Sequence, residues 1–378
     1  MRTPIAIILA LLALSACVDR SRVDFVDPPA EAALRSIHVA TTRGPSPEQP
    51  GRGWSREEGL SYGRYVISVP PERRLGRISR PSRNRDLNPR RHFAVVEQRD
   101  FGAGGFRESV ARELATLGAS EREAVIFVHG FNTSFIEGVY RVSQLSTDLS
   151  LPGLMLHYSW PSQGAPLAYA HDRDSVLFAR DGLQRMIAEA TEAGVPRIVL
   201  VAHSMGALLT METLRQMAIE GDQGLDRIGG VILIAPDIDL DVFRAQARRI
   251  GRLPQPFLIV TSQRDRILQL SARLTGERER LGNLSDPSAL GEFELLLIDT
   301  SVFSSLDGHF TLGQSPALIQ MMNQLGVVDT ALGEDPSGVL PLLPATILTI
   351  QNTTQIVLQP MTEPHGRTGR WRRREPAE

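Results

Sequence analysis

The sequence contains no lysine and only one cysteine. All 41 basic residues are therefore arginine, which excludes lysine as a catalytic base or as a former of a Schiff base. The single cysteine, Cys17, excludes a disulfide within the chain. The formal net charge is −2, and no excess of positive charge points to a nucleic-acid partner. At 378 residues, of which 42% are hydrophobic, the chain is long enough to bury a large core.

The first residues have the pattern of an export signal. Arg2 precedes an apolar run at residues 5–14, which is too short to remain as a membrane-spanning helix. Cys17 follows the small residues Ser15 and Ala16. The segment resembles a bacterial lipoprotein signal, in which the cysteine is lipidated and becomes the first residue. The alternative is an ordinary secretory signal with an incidental cysteine.

This resemblance predicts how the chain is attached to the cell. We expect residues 1–16 to be removed, Cys17 to carry the lipid, and residues 17–35 to form a polar tether. In the sorting rule of enteric bacteria an aspartate after the cysteine retains a lipoprotein in the inner membrane, whereas Val18 follows here. The expected location is the cell envelope, facing the periplasm, with the outer membrane favoured.

Short apolar runs alternate with segments of helical periodicity through the middle of the chain. Alternation of this kind predicts an α/β fold with a mostly parallel central sheet and helices on both faces. We expect one domain at residues 36–325 and a C-terminal extension at residues 326–378, the last part of which is disordered. The predicted strands of the alternating part are residues 124–129, 154–159, 197–201, 231–235, 257–261 and 293–298.

Ser204 lies between a predicted buried strand and a predicted helix. Ala202 stands two residues before it and Gly206 two residues after it. Small residues at these positions allow a strand and a helix to pack closely around a strained turn that exposes the serine. The usual pattern has glycine in place of Ala202, and a methyl group is the smallest departure from it. The segment therefore predicts a nucleophile elbow.

A serine nucleophile needs a histidine base and a carboxylate that orients the base. The segment around Ser204 resembles the nucleophile elbow of α/β-hydrolases. In those proteins the order along the chain is serine, acid, histidine. We expect His309 to be the base, because His365 is the only other histidine after the elbow and lies in the polar tail. Asp265 and Asp237 both follow predicted strands, and Asp265 is the favoured acid. The alternative role for Asp237 and its neighbour Asp239 is helix capping.

The negative oxygen that forms during acyl transfer needs two backbone N–H donors. We expect one from Met205, directly after the nucleophile, and the other from Phe131 in the segment that follows the strand at 124–129. His129 and His203 are expected to be structural. Trp160 either lines the substrate pocket or packs beneath a helix that Asp174 caps.

The chain resembles bacterial α/β-hydrolases of uncharacterised function, often described as the esterase/lipase superfamily. The resemblance covers residues 36–325 and implies the α/β-hydrolase fold and a serine nucleophile, without a common substrate. The matching segments are Tyr62-Gly63-Arg64, Val69-Pro70-Pro71, Phe127-Val128-His129-Gly130-Phe131-Asn132, Tyr158-Ser159-Trp160-Pro161-Ser162, His203-Ser204-Met205-Gly206, Ala235-Pro236-Asp237-Ile238-Asp239, Asp265 and Gly308-His309-Phe310.

These observations predict a lipid-anchored serine hydrolase that acts on small molecules, with carboxylic esters as the favoured substrates. Cleavage of amides, thioesters or lactones would use the same machinery. No metal, organic cofactor or nucleic acid is expected, and the membrane is contacted through the lipid anchor. Residues 240–256 leave room for one helix only, so we expect an accessible pocket and short or medium acyl chains. The alternative function is a non-catalytic envelope lipoprotein that uses the hydrolase fold to bind a partner.

Overall fold

Buried β-branched and leucine-rich segments form the strands, and amphipathic segments between them form the helices. The computed structural model describes residues 20–46, 52–81, 85–277, 279–303, 308–324 and 345–359. The strands are β1 (Ala33–Pro45), β2 (Arg52–Val69), β3 (Ala94–Phe101), β4 (Ala124–Val128), β5 (Leu154–Ser159), β6 (Ile198–His203), β7 (Ile228–Ile234), β8 (Phe257–Thr261), β9 (Leu295–Asp299), β10 (Ala345–Ile350) and β11 (Thr353–Leu358). The helices are α1 (Ala103–Leu114), α2 (Phe135–Asp148), α3 (Tyr169–Glu192), α4 (Met205–Glu220), α5 (Leu240–Ile250), α6 (Arg266–Thr275), α7 (Thr311–Gln314) and α8 (Pro316–Gln324).

The strands of the described residues form one sheet in the order β10-β11-β9-β8-β7-β6-β4-β5-β1-β2-β3. The eight strands from β11 to β1 in this order pair in parallel, and β2, β3 and β10 add antiparallel edges. The predicted α/β fold with a mostly parallel sheet is therefore confirmed. Because parallel strands end at the same edge, the residues that follow β4, β6, β8 and β9 come close together.

Both faces of the sheet are covered by helices. Successive side chains of a strand point to opposite faces, and in β4 Ile126 and Val128 pack into one core while Val125 and Phe127 pack into the other. Helices α1, α3, α4 and α5 cover the first face, and α2 and α8 cover the second. Burial on both faces explains why the central strands have continuous apolar sequences.

The predicted tether is wrong for the residues that the structure describes. The backbone N–H of Val26 donates to the carbonyl of Val95 at 3.0 Å, and that of Val95 donates to Asp24 at 2.8 Å. Arg20 binds Glu137 of α2 through two hydrogen bonds. The segment from Arg20 onward is thus part of the domain. The predicted signal peptide and Cys17 lie outside the described residues.

The predicted end of the domain at residue 325 is also wrong. Strand β11 pairs in parallel with β9, and β10 pairs with β11 through a turn at Gln351 and Asn352. The buried side chains of Ile356 and Leu358 belong to the core on the α2 face. The C-terminal segment therefore extends the central sheet, while the end predicted to be disordered lies outside the described residues.

Helix α3 begins earlier than the sequence predicts. Its first residue is Tyr169, and Ala168 occupies the N-terminal cap position in place of Asp174. The buried carboxylate of Asp172, inside the first turn, accepts a hydrogen bond from the Ser162 hydroxyl at 2.6 Å. This tertiary contact replaces the local cap. Within the described residues, no helix combines the length and apolarity that crossing a bilayer requires.

Candidate active site

Ser204 occupies a strained turn between β6 and α4. Its φ of 53° and ψ of −121° place it in a region that residues other than glycine rarely adopt. The turn is fixed to the next strand, because the Ser204 N–H donates to Ile234 at 3.0 Å and the Ser204 carbonyl accepts from Asp237 at 3.2 Å. A Cβ atom at Gly206 would collide with the backbone oxygens of Val128 and His129. Glycine is therefore required there for α4 to pack against the loop after β4.

His309 and Asp265 lie in direct contact. The imidazole Nδ1 is 2.8 Å from Asp265 Oδ2, and the other carboxylate oxygen accepts from the Leu268 N–H at the start of α6. Gly308 has a φ of 73°, and a Cβ atom there would lie 2.9 Å from the carbonyl oxygen of Arg264. This glycine lets the loop after β9 approach the loop after β8. Asp265 is buried, whereas 13% of the His309 side chain is exposed.

Asp237 has different partners. Its carboxylate accepts from the hydroxyls of Ser271 at 2.7 Å and Tyr169 at 3.0 Å, and lies 3.3 Å from Nε of Arg280. The structure therefore brings Asp265, and not Asp237, to His309. The predicted capping role applies only to its neighbour Asp239, which accepts hydrogen bonds from two N–H groups of α5.

The imidazole of His309 packs beside the elbow. Its ring centroid lies 4.8 Å from that of His203, the residue before Ser204, and His203 also packs on Phe310 at 4.3 Å. Burial lowers the pKa of His203 well below its usual value, so this ring is neutral. Among the described residues, no hydrogen bond joins the Ser204 hydroxyl to His309. In enzymes without bound substrate, catalytic hydrogen bonds are often long and tighten when substrate binds.

The loop after β4 lies directly against Ser204. A Cβ atom at Gly130 would lie 2.9 Å from Ser204 Cβ and 2.7 Å from His203 Nδ1. No hydrogen bond from the backbone N–H of Phe131 or of Met205 occurs within the described part of the chain. Met205 is the first residue of α4, and an N–H at that position has no partner inside its helix. Within the described segments, these two N–H groups are therefore available as donors beside Ser204.

Sequence reasoning missed Arg43, which is hydrogen-bonded to the loop after β4 and to the segment after β5. Only 2% of the residue is exposed. Its guanidinium donates to Ser159 Oγ at 2.9 Å, to the Ser162 carbonyl at 2.8 Å and to the Thr133 carbonyl at 2.7 Å. Burial lowers the pKa of Arg43 to about 9, so it keeps its charge at neutral pH. The sequence around Arg43, near the C-terminal end of β1, has no feature that distinguishes it from the other arginines.

Trp160 does not line a substrate pocket, and that prediction is corrected. The side chain is fully buried. Its ring stacks on His129 with centroids 4.8 Å apart, and its Nε1 donates to the His129 carbonyl at 2.7 Å. Burial lowers the pKa of His129 well below its usual value, which leaves a neutral ring. The pair supports the loop that carries Gly130 and Phe131, consistent with the structural role expected for His129.

A cavity of about 460 Å³ opens beside His309. Its wall includes Gly130 and Phe131 of the loop after β4, together with Phe310 and the side chains of several arginines. Within the described residues, no three histidine, cysteine, aspartate or glutamate side chains are grouped so that they could hold a metal ion.

Comparisons with known proteins agree with this fold. Residues 106–296 match the family described as "Alpha/beta hydrolase of unknown function (DUF900)". No curated protein matches the chain.

Solved structures similar to this chain include several hydrolases. A predicted CIB-like hydrolase from Thermoplasma acidophilum is 16% identical over 55% of this chain and 87% of its own, with a TM-score of 0.31. An esterase from Pyrobaculum calidifontis is 14% identical over 64% and 94%, with a TM-score of 0.33. A fungal esterase from Rhizomucor miehei is 11% identical over 86% and 88%, with a TM-score of 0.35. Likenesses this distant carry no argument about activity.

Proposed function

The chain belongs to the family of α/β-hydrolases of unknown function, and we propose that it is a serine hydrolase that cleaves carboxylic esters. The proposed nucleophile is Ser204, the base is His309, and Asp265 orients the base. The observation that carries the proposal is the meeting of a strained serine turn, a hydrogen-bonded His309–Asp265 pair and the Gly130 loop at one edge of the sheet. These are the parts that a serine nucleophile needs.

The proposed reaction has two stages. Ser204 Oγ bonds to the ester carbonyl carbon while its proton passes to Nε2 of His309, and the N–H groups of Phe131 and Met205 bind the carbonyl oxygen as it becomes negative. The carbon–oxygen bond to the alcohol then breaks, and His309 returns the proton to the leaving alcohol. In the second stage, His309 takes a proton from a water molecule, and the water oxygen bonds to the acyl carbon. The bond between this carbon and Ser204 Oγ then breaks, the carboxylic acid leaves, and His309 returns the proton to Ser204 Oγ.

The proposal is tested by hydrolysis of 4-nitrophenyl esters of graded acyl length. The full mature chain should release nitrophenolate, with the highest kcat/KM on short or medium acyl chains. Ser204→Ala should abolish turnover, because no other group in the site takes its place. The matched control is Ser262→Ala, since Ser262 is also a buried serine near the strand ends and has no proposed role. Equal turnover by wild type and Ser204→Ala would refute the proposed nucleophile.

The rival function, a non-catalytic binding protein, makes a different prediction. A purely structural elbow would gain nothing from a serine in a strained backbone conformation. Replacement of Ser204 by glycine would then stabilise the fold and change no activity. Under our proposal the same replacement abolishes ester cleavage even if it raises the free energy of unfolding.

We also propose that the protein is anchored in the envelope through Cys17. The support is the export pattern of the sequence and the placement of Arg20, three residues later, on the domain itself. Three extended residues span at most roughly 10 Å, so a lipid on Cys17 would keep the domain close to the membrane surface. Cys17→Ser should move the protein from the membrane fraction to the soluble periplasm. Unchanged membrane association would refute the anchor.

A further inference from the structure

The cavity beside His309 carries more positive than negative side chains. Three arginines, Arg20, Arg80 and Arg141, line it together with a single carboxylate, that of Glu137. We call this space the arginine cavity and define it by these four residues and His309. Burial lowers the pKa of His129 and of His203 well below the usual value, so these two histidines are neutral and add no charge to that of the arginines.

Arg20 is neutralised by Glu137. Two hydrogen bonds of 2.7 and 2.8 Å join its guanidinium to both carboxylate oxygens, which is the bidentate geometry that suits this pair best. Arg20 also donates to the side chain and the carbonyl of Asn132. The one carboxylate that lines the cavity is therefore already paired with Arg20. The other two arginines of the cavity, Arg80 and Arg141, remain to be accounted for.

Arg141 has no carboxylate within ion-pair distance among the described residues. Its guanidinium donates to Gln144 Oε1 at 2.7 Å and lies 4.9 Å above the ring of Phe310, the residue after His309. The nearby carboxylate of Asp148 is bound by Arg73 at 2.8 Å. Burial lowers the pKa of Arg141 to about 10. It remains charged at neutral pH, in surroundings that hydrate a charge poorly.

Among the described residues, the partners of Arg80 are neutral groups. It donates to the carbonyl oxygens of Arg20 at 2.7 Å and Arg22 at 2.6 Å, and it lies 5.7 Å from the ring of Tyr140. Carbonyls and rings orient a guanidinium but do not cancel its charge. In the part of the chain that the structure describes, neither Arg80 nor Arg141 forms an ion pair, although Glu137 and Asp148 act on Arg141 from a longer distance. The cavity thus keeps an excess of positive charge beside the proposed base.

We propose that the arginine cavity binds an anionic group, a carboxylate or a phosphate, on the same substrate whose ester Ser204 attacks. A partly buried cation without a counter-ion is costly, and an anionic ligand removes that cost. The planar guanidinium matches both anions with paired hydrogen bonds. Arg141 is the principal binding residue because its guanidinium lies against the ring of Phe310, the residue after the proposed base. This inference rests on the proposed function and narrows its substrate to anionic esters.

Arg141 could instead act only as a positioning residue, by holding Phe310 and through it His309. The two roles differ in what they do to a neutral substrate. A positioning residue affects every ester alike, because it acts on the base. An anion-binding residue affects only the ester that carries the charge.

The experiment compares mono-4-nitrophenyl glutarate with 4-nitrophenyl pentanoate, which have equal acyl chain length and differ in the terminal carboxylate. We expect the wild type to prefer the glutarate ester. Arg141→Gln should reduce kcat/KM for it by at least about tenfold, as for a lost hydrogen bond to a charged group, and leave pentanoate unchanged. Arg141→Lys should retain part of the preference, and Arg249→Gln, an exposed arginine of α5, should retain all of it. Equal losses on both esters would overturn the proposal.

A second pair of substrates identifies the source of the anion. Dihexanoyl phosphatidylglycerol and dihexanoylglycerol share their acyl chains and differ in the anionic phosphoglycerol headgroup. A phosphatidylglycerol preference that Arg141→Gln abolishes assigns the anion to a lipid headgroup, whereas the same result with glutarate alone assigns it to a soluble carboxylate. If Arg141→Gln abolishes neither preference, the proposal is wrong.

Binding without turnover separates this proposal from the hydrolase function. The Ser204→Ala protein should gain thermal stability from glutarate or inorganic phosphate, and the Ser204→Ala/Arg141→Gln protein should not. If the wild type cleaves no ester while Ser204→Ala still binds these anions through Arg141, the hydrolase proposal fails and the anion site stands. If the wild type cleaves esters but Ser204→Ala binds neither anion, the anion site fails and the hydrolase proposal stands.

Discussion

Asp265 and Asp237 are two buried carboxylates that follow neighbouring strands of the same sheet. Asp265 binds His309 and an N–H of α6. Asp237 lies against Arg280, of which 1% is exposed, and accepts from two hydroxyls. The Asp265 carboxylate contacts the proposed base, His309, and the Asp237 carboxylate compensates the buried charge of Arg280. Substituting each by asparagine should therefore have opposite consequences.

Asp265→Asn should lower kcat/KM for esters by a factor on the order of 10³ to 10⁴, because an amide cannot hold the correct tautomer of the base. Its free energy of unfolding should change little, since asparagine also caps a helix well. Steady-state kinetics and urea unfolding measure the two effects. Full activity in Asp265→Asn would exclude it as the acid.

Asp237→Asn should instead lower the free energy of unfolding by about 3 kcal/mol, the cost of leaving one member of a buried ion pair uncompensated. The activity of the folded fraction should remain close to that of the wild type, because Asp237 does not contact His309. Urea unfolding followed by circular dichroism measures the stability, and kinetics below the transition measures the activity. Loss of activity without loss of stability would contradict this assignment.

Arg43 connects three segments that the sequence keeps far apart. Arg43→Met should leave the carbonyls of Ser162 and Thr133 without their donor, and each such group costs about 1–3 kcal/mol when buried. We expect a loss of at least about 2 kcal/mol in the free energy of unfolding and a lower kcat, because the Gly130 loop loses its support. Arg249→Met is the matched control on the surface. An unchanged kcat in folded Arg43→Met would show that the loop holds its geometry without this arginine.

At the scale of elements, the strand–turn–helix unit of β6 and α4 depends on the close approach of Gly206 to the backbone of Val128 and His129. Gly206→Ala should lower the free energy of unfolding by at least about 2 kcal/mol, since its Cβ would collide with the backbone oxygens of Val128 and His129. Ala202→Gly, the control at the other small position, should cost only about 0.5–1 kcal/mol through backbone entropy. Equal stabilities of the two variants would contradict the requirement for glycine at position 206.

The elements that could be predicted are those with local patterns. Strands β5 and β8 appear at the predicted residues, since their apolar runs have clear ends. The hairpin of β10 and β11 could not be predicted, because its turn at Gln351 and Asn352 lacks the usual glycine and its pairing with β9 is long-range. The start of α3 was missed because a tertiary contact of Asp172 replaces a local cap.

In the candidate site too, the features with a local sequence pattern could be predicted, and those that depend on long-range contacts could not. The segments around Ser204 and His309 stand out in the sequence because turn chemistry and chain order mark them. The choice between Asp265 and Asp237 depends on which carboxylate the loop of Gly308 reaches, and the sequence does not encode this locally. The burial of Trp160 and the role of Arg43 arise from packing between distant strands, which composition and spacing do not reveal.

At the scale of the whole molecule, buried neutral histidines link stability to pH. Burial lowers the pKa of His38 to about 4 and that of His157 to about 3, against an unfolded value of about 6.5. Between these values the unfolded chain binds more protons than the folded chain. The free energy of unfolding is therefore highest above about pH 6.5 and falls as the pH decreases, by about 2 kcal/mol per histidine at about pH 5.

Urea unfolding at about pH 7.5 and about pH 5 measures this loss. His157→Gln should lose less stability than the wild type between the two values, because it removes one of the titrating groups. If stability were the same at both pH values, the buried histidines would have to be protonated in the folded protein.

The central claim, that Ser204 is an activated nucleophile, is tested most directly by a fluorophosphonate probe and intact-protein mass spectrometry. The mature chain should gain the mass of one phosphonyl group, peptide mapping should place it on Ser204, and Ser204→Ala should gain nothing. Labelling should slow strongly in Asp265→Asn and stay unchanged in Asp237→Asn. A well-folded wild-type protein that remains unlabelled, or one labelled equally in Ser204→Ala, would contradict the account.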